Sequence, residues 1–212
     1  MAFTNLLSSD RLIYEPFDPK DPSTKQFVYQ SLLRDVNVSA TSALRTLVPH
    51  TLNEPGKGDE EWEQRILGNY FRSIICLKPD NWDEISHKVA DTQFRGIPIG
   101  MLCIFGISQD EMPHGNGTLA ISIASEYQGK GYGTEALRYL VDWAFRFGNL
   151  HSLRLQARSD NGGGLRAYEK AGFVREGCLR EAMYWDGEWF DVIEMSVLRR
   201  EWEEKRRNGD KK

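Results

Sequence analysis

The chain has 212 residues, of which 40% are hydrophobic and 27% are charged, a balance typical of a globular protein with a substantial core. The net charge of −4 argues against a general nucleic-acid binder, and no apolar run reaches the roughly 18 residues that a membrane span needs. The N-terminus lacks the basic stretch and apolar core of a secretory signal.

The three cysteines are odd in number and widely spaced, so we expect reduced thiols in a cytoplasmic protein rather than a disulfide framework. A catalytic or metal-binding thiol is the less favoured alternative. The length is that of one domain, which we expect to span residues 1–212, with its core at about 10–200 and a polar end at 201–212.

The first half of the chain contains strand-like runs separated by irregular segments. Strands are predicted at 11–17, 71–77 and 97–107. The sequence Asp21-Pro22-Ser23 is a helix start, and the apolar spacing that follows predicts a helix to about residue 35. Residues 36–58 are expected to be irregular, and Asp59 is expected to cap a short helix. We expect residues 80–95 to contain part of a strand at most and residues 108–117 to form a turn.

The second half carries stronger patterns. An apolar strand at 119–123 leads into a glycine-rich loop and a helix at 134–147, for which Gly148 is the predicted stop. A strand follows at 152–158, then a helix that Asn161 caps and Gly172 ends. Two strands, at 178–185 and 189–198, are joined by the hairpin turn Asp186-Gly187, and the C-terminal residues 199–212 are expected to form a solvated helix end rather than a docking patch.

The loop Gln128-Gly129-Lys130-Gly131-Tyr132-Gly133-Thr134 is the most informative segment. A glycine-rich loop that opens a helix directs several backbone N–H groups and the positive end of the helix dipole at one point, which is a phosphate site. The spacing excludes a Walker loop, and Thr134 stands where a dinucleotide fingerprint needs its third glycine. A mere tight turn would not need glycine at three alternate positions.

Three ordered matches connect this loop to a known family. The loop, through Gln128, Gly131 and Gly133, is similar to the pyrophosphate loop of the GNAT superfamily of N-acetyltransferases. Asn161 and the run Tyr168-Glu169-Lys170-Ala171-Gly172-Phe173 resemble the family's next motif. The stretch 179–192 resembles the last hairpin of the branch that contains ribosomal-protein N-terminal and polyamine acetyltransferases, and 11–18 more weakly resembles its first strand.

The resemblance implies a fold and a phosphorylated ligand. The fold is α/β (α+β), with a mixed, mostly antiparallel sheet of about six or seven strands flanked by about four helices and splayed between the strands before and after the 134–147 helix. The ligand is acetyl-CoA, and no metal is required because backbone dipoles would neutralise its pyrophosphate.

The resemblance also assigns residues to the site. The backbones of Ile121 and Ile123 would contact the pantetheine arm, although both are also ordinary core residues. Tyr168 stands where the family keeps its general acid, with aromatic packing as the alternative. The other expected cofactor contacts are Gln128, Gly129, Lys130, Gly131, Tyr132, Gly133, Thr134 and Asn161.

Two features depart from the family pattern. Many members carry a carboxylate on the strand before the loop, where this chain has Thr118, so a general base must come from elsewhere, act through water or be unnecessary. The nearest candidates are Glu126, Glu181, Asp191 and Glu194, each of which is more simply a surface or structural charge. The run 162–164 is three glycines, which weakens the first turn of its helix.

These features predict an acetyl-CoA-dependent N-acetyltransferase that transfers an acetyl group directly to a protein N-terminus, a polyamine or another small amine. A non-catalytic CoA-binding module is the alternative, and a nucleotide-phosphate enzyme is a distant third. No nucleic-acid or membrane partner is expected, and the protein is predicted to be a monomer or a homodimer. An aromatic and acidic hairpin could bind a cationic acceptor, cover the sheet or form a dimer surface; its residues are Tyr184, Trp185, Asp186, Glu188, Trp189 and Phe190.

Overall fold

One sheet organises the chain in the computed structural model, which describes residues 7–35, 37–38, 70–82, 94–106 and 112–209. The strands are β1 (Leu12–Pro16), β2 (Phe71–Leu77), β3 (Ile97–Phe105), β4 (Asn116–Ile123), β5 (Ser152–Arg158), β6 (Val174–Trp185) and β7 (Glu188–Leu198). The α-helices of these residues are α1 (Pro22–Phe27), α2 (Tyr132–Arg146), α3 (Gly162–Ala171) and α4 (Arg199–Gly209).

The strand order is β1-β2-β3-β4-β5-β7-β6 in a 7-stranded sheet. Every neighbouring pair is antiparallel except β4 and β5, which are parallel and are connected through α2. The parallel pair is joined by only the three residue pairs from Asn116↔Ser152 to Thr118↔Arg154. The predicted fold class is therefore confirmed, including the splay between β4 and β5, the strands before and after the helix.

The sheet is covered on both faces near β1 and β2, which explains why these strands have apolar residues in succession. Leu12 and Tyr14 are buried in a core cluster with the apolar face of α2, whereas Ile13 is buried in a second cluster with Val28 and Leu32 from the opposite side. The apolar positions predicted on α2 are buried; they are Ala136, Leu137, Leu140, Val141 and Ala144.

Several predicted boundaries are wrong, and each error has a local cause. Helix α2 begins at Tyr132, earlier than predicted, because Gly131 adopts a left-handed conformation and serves as its N-cap. Strand β3 ends at Phe105 because the chain turns at Gly106, with φ at 76°. Strand β4 begins at Asn116, inside the predicted turn at 108–117.

Two further boundaries differ. The helix predicted to reach residue 35 is α1 followed by a π-helical turn, Val28–Leu33. Strand β6 begins at Val174, before the predicted start at Cys178, because this exposed edge strand contains a bulge between Arg175 and Gly177 that breaks its alternation. The predicted short helix at Asp59 and most of the segments 36–58 and 80–95 lie outside the described residues.

The β6–β7 hairpin turns at Asp186 and Gly187 as predicted, with φ values of 46° and 86°. Two successive residues with positive φ match the right-handed twist of the strands on either side. In the described part of the chain, no helix combines the length and the apolar character that crossing a membrane would take.

Candidate functional site

A gap between β4 and β5 forms the floor of the candidate site. Pairing between the two strands stops at Thr118, while β4 continues to pair with β3 as far as Ile123. The edge of β4 at residues 119–123 that faces β5 therefore has no strand partner.

The direction of the β4 backbone follows from two hydrogen bonds. The N–H of Ala124 donates to the Ile99 oxygen across the β3 edge at 2.9 Å. Because successive residues of a strand direct their N–H and C=O groups to opposite edges, those of Ile121 and Ile123 face the gap. The Ile123 oxygen does accept a hydrogen bond there, from Gln128 Nε2 at 2.9 Å. The predicted pantetheine contacts require backbone N–H and C=O groups of Ile121 and Ile123 that face the gap in this way.

The glycine-rich loop places unused N–H donors at one end of the gap. Gly129 and Gly131 have φ values of 73° and 83°, a region that side chains disfavour. Gly131 is the N-cap of α2 but has no side chain to accept hydrogen bonds from the first helical turn. Tyr132, Gly133 and Thr134 belong to that turn, so their N–H groups and the helix dipole are available to an anion. These donors fit the pyrophosphate of CoA without a metal.

Helix α3 forms the opposite wall. Asn161 is its N-cap, as predicted, and its Oδ1 accepts a hydrogen bond from the Gly164 N–H at 2.9 Å. A Cβ atom at Gly164 would lie only 2.6 Å from Asn161 Nδ2, so the capping side chain occupies the space that a larger residue would need. Gly172 ends the helix with φ at 109°.

Tyr168 of α3 lines the same cleft. Burial raises the pKa of its hydroxyl from 10.0 to about 12. Its ring meets Phe173 edge-on with centroids 6.2 Å apart, so it also has the packing role considered as the alternative. Among the described residues the structure gives its hydroxyl no hydrogen-bond partner, so a protonated donor remains available to a ligand.

The loop, the gap and α3 enclose one cleft of about 370 Å³. It is lined by every predicted site residue except Lys130; they are Ile121, Ile123, Gln128, Gly129, Gly131, Tyr132, Gly133, Thr134, Asn161 and Tyr168. The Lys130 ammonium instead lies 5.3 Å from the centre of the Tyr127 ring.

Some lining residues were not predicted. Arg166 and Lys170 of α3 lie four residues apart, and this spacing on one helix face, after the Asn161 cap, could have identified them. Val38 and Leu137 also line the cleft, but tertiary packing brings them there and no local motif marks them.

The four candidate bases lie outside the cleft lining. Asp191 accepts a hydrogen bond from the Glu181 N–H at 2.8 Å, at a second irregularity of β6 between Leu179 and Met183. Glu194 accepts one from Gln156 Nε2 at 3.0 Å. Glu126 is exposed in the turn after β4. The described residues that line the cleft include no carboxylate and no imidazole.

The aromatic hairpin already holds a cation of this chain. The Arg158 guanidinium lies 5.2 Å from the centre of the Trp185 ring and 4.6 Å from that of Phe190. It also forms a two-point ion pair with Asp160, at 2.6 and 2.7 Å. Tyr184 and Trp189 remain exposed on the hairpin. Trp185 and Phe190, which were suggested for acceptor binding, therefore contact Arg158 and help to hold the turn that leads into α3.

The family model for the acetyltransferase (GNAT) domain matches residues 11–174, more than half of the chain. The chain belongs to the GNAT acetyltransferase family. This confirms the resemblance drawn from the loop, Asn161 and the Tyr168 motif.

Within this family, the chain is similar to spermidine N(1)-acetyltransferases. It is 35% identical to the Vibrio cholerae protein over 85 residues, which are 40% of this chain and 49% of that protein. It is 32% identical to the Escherichia coli K12 protein over 89 residues, 42% of this chain and 48% of that protein. The chain thus aligns with about half the length of these curated relatives.

The fold is also that of a solved GNAT structure. The spermidine N-acetyltransferase from Vibrio cholerae, in complex with CoA and spermine, superposes with a TM-score of 0.69 at 21% identity. The match covers 92% of this chain and 99% of that one.

Proposed function

We propose that the protein is an acetyl-CoA-dependent N-acetyltransferase that transfers an acetyl group directly to a primary amine. One observation carries this proposal. The open β4 edge, the Tyr168 hydroxyl and the N-terminus of α2, where no side chain accepts the free N–H groups, all lie in one cleft. A strand edge suits an extended amide-containing arm, and a helix N-terminus suits a pyrophosphate.

The residues of the cleft have separate tasks. The donor supplies an acetyl group as a thioester. The Ile123 N–H faces the gap and would stabilise negative charge that develops on the thioester oxygen. The Tyr168 hydroxyl would donate its proton to the sulfur as the C–S bond breaks, and solvent would return a proton to Tyr168. The amine forms the new N–C bond and releases its proton to water.

The acceptor must be a neutral amine when it attacks, because an ammonium ion has no lone pair. A protein N-terminus has a pKa near 7.7 and is partly neutral without help, whereas a polyamine nitrogen, with a pKa near that of lysine at about 10.4, needs more assistance. The absence of a carboxylate or imidazole among the described lining residues favours the first class, while the spermidine acetyltransferase relatives support the second. Both remain within the proposal.

The test is CoA release from acetyl-CoA in the presence of spermidine, a peptide with a free N-terminal amine, and a small primary amine. We expect release with at least one acceptor and none with an N-terminally acetylated peptide of the same sequence. With a peptide N-terminus the rate should rise through about pH 7.7, and with spermidine it should continue to rise toward about pH 10.

The competing function is a CoA-binding module without catalysis. Calorimetric binding of acetyl-CoA with no CoA release on any acceptor would favour the module and would contradict the enzyme. We also propose that the protein has a cytoplasmic location, that it is a monomer or homodimer, and that residues 1–212 form a single domain.

A further inference from the structure

Arg11, the residue immediately before β1, contacts the glycine-rich loop, which lies far away in the sequence. Its Nη1 donates to the Lys130 backbone oxygen at 3.2 Å, and its guanidinium lies 4.6 Å from the centre of the Tyr132 ring. Its Nε donates to Glu135 Oε2 at 2.7 Å, and its backbone N–H donates to Glu135 Oε1 at 2.7 Å. One side chain therefore contacts the loop and the first turns of α2 together.

The contact with Lys130 fixes a peptide group. The carbonyl of Lys130 and the N–H of Gly131 belong to one planar trans peptide and point in opposite directions. When Arg11 holds that carbonyl, the Gly131 N–H points away from Arg11. This is the peptide that leads into the left-handed residue of the loop, whose φ is 83°. A contact that holds the peptide opposes relaxation of the loop to an ordinary conformation.

Arg11 also compensates an unfavourable charge. Glu135 lies in the first turns of α2, where its carboxylate suits the helix dipole but would repel a pyrophosphate. Burial alone would raise the pKa of this carboxyl, but hydrogen bonds from Arg11 and Ser9 and the Arg11 charge outweigh burial and lower it. The Ser9 hydroxyl donates to Glu135 Oε1 at 2.7 Å. The carboxylate stays ionised and is paired with Arg11, and Glu135 is not among the residues that line the cleft.

We infer that Arg11 is a positioning residue for the phosphate-binding loop, holding its N–H groups in the anion-binding arrangement and pairing Glu135. This inference rests on the proposed function, because it assumes that the loop binds the pyrophosphate of CoA. Its consequence is selective: loss of Arg11 weakens recognition of the phosphorylated part of the donor and leaves the acetyl-pantetheine part unaffected.

The experiment compares two donors with the same thioester. Acetyl-CoA contains the pyrophosphate, and acetyl-pantetheine lacks it. For Arg11→Gln we expect KM for acetyl-CoA to rise about tenfold, equivalent to about 1.4 kcal/mol, with kcat nearly unchanged. The kcat/KM for acetyl-pantetheine should not change. A role confined to overall stability would reduce activity with both donors alike.

Two further variants sharpen the comparison. Arg11→Lys keeps the charge beside Glu135 but lacks the planar fork that reaches two acceptors, so its KM for acetyl-CoA should be intermediate. Arg146→Gln removes a comparable ion pair of α2, with Asp142 at 2.9 Å, at the other end of the helix. This control should behave as wild type with both donors.

Calorimetry with CoA and pantetheine gives the same comparison without turnover. Wild-type binding of CoA with no activity on any acceptor would overturn the enzymatic function, while a tenfold weaker Kd for CoA in Arg11→Gln would still support the role of Arg11. The inference would be overturned if an Arg11→Gln variant with the thermal melt of wild type lost affinity for CoA and pantetheine equally. It would also be overturned if that variant bound CoA as tightly as wild type does. If Arg11→Gln does not fold, Arg11→Lys decides the same question.

Discussion

At the scale of single residues, the Tyr168 hydroxyl shows how burial sets an acid's behaviour. Burial raises its pKa to about 12, well above the value of about 8.5 for a free cysteine-like thiol in water, so the buried hydroxyl is the weaker acid. The same burial that raises its pKa also raises the basicity of a thiolate that develops inside the cleft. In the proposed mechanism the proton would therefore move late, when the sulfur has gained most of its charge.

Replacing Tyr168 by Phe should lower kcat by about 10²-fold, the low end for general acid catalysis, with little change in KM for acetyl-CoA. Because the pKa is raised to about 12, wild-type kcat should show no loss from Tyr168 ionisation up to at least pH 10. The measurement is kcat from pH 7 to pH 10.5 for both proteins. An alkaline limb centred near pH 10 in wild type and missing in Tyr168→Phe would contradict the burial argument.

At the scale of elements, α3 begins with three glycines, yet each meets different surroundings. A Cβ at Gly163 would meet no atom of the described residues within 4 Å, whereas one at Gly164 would approach Asn161 Nδ2 to 2.6 Å. Gly164 therefore has a packing reason to lack a side chain, whereas among the described residues Gly163 has none. The sequence indicated a weak first turn, but only the structure separates the two positions.

The paired variants Gly163→Ala and Gly164→Ala test this distinction. Gly163→Ala should increase the free energy of unfolding by up to about 1 kcal/mol, because alanine favours the helix and restricts the unfolded chain. Gly164→Ala gains the same propensity but displaces the Asn161 cap, which is worth about 1 kcal/mol, so its stability should stay near wild type. Urea unfolding measures both; equal stabilisation would show that the cap tolerates the Cβ.

At the scale of the whole molecule, the two-sided core buries ionisable groups that only the unfolded chain can ionise readily. Burial raises the pKa of Cys103 from 9.0 to about 11 and raises that of Cys76 further. Burial also raises the pKa of Tyr14 and Tyr139, whose rings stack with centroids 3.6 Å apart. Above pH 9 the unfolded state loses these protons first, so the folded state is destabilised as the pH rises.

We therefore expect the free energy of unfolding to fall between pH 9 and pH 11, by up to about 1.4 kcal/mol per pH unit for each thiol that ionises only on unfolding. Urea titrations at fixed pH values measure this slope. Cys103→Ala should reduce the slope even where the cavity lowers absolute stability. An unchanged slope in that variant would mean that Cys103 ionises in the folded state.

Sequence patterns predicted the features that depend on local chemistry. Gly172 takes the left-handed conformation that glycine favours, and Asn161 caps the helix that it precedes. Long-range contacts escaped prediction for a physical reason. The hydrogen bond from Arg11 to Glu135 joins residues 124 positions apart, and no local pattern specifies which distant partner a surface arginine meets.

The early separation of β4 from β5 has a consequence for how the sequence of this fold can evolve. In the proposed donor complex, the contacts along 119–123 would come from the main chain, which every residue except proline supplies equally. Donor recognition would then be largely independent of side-chain identity on this strand. The side chains can be replaced to suit a new acceptor or a new core without loss of the donor, which would let one scaffold serve many amines.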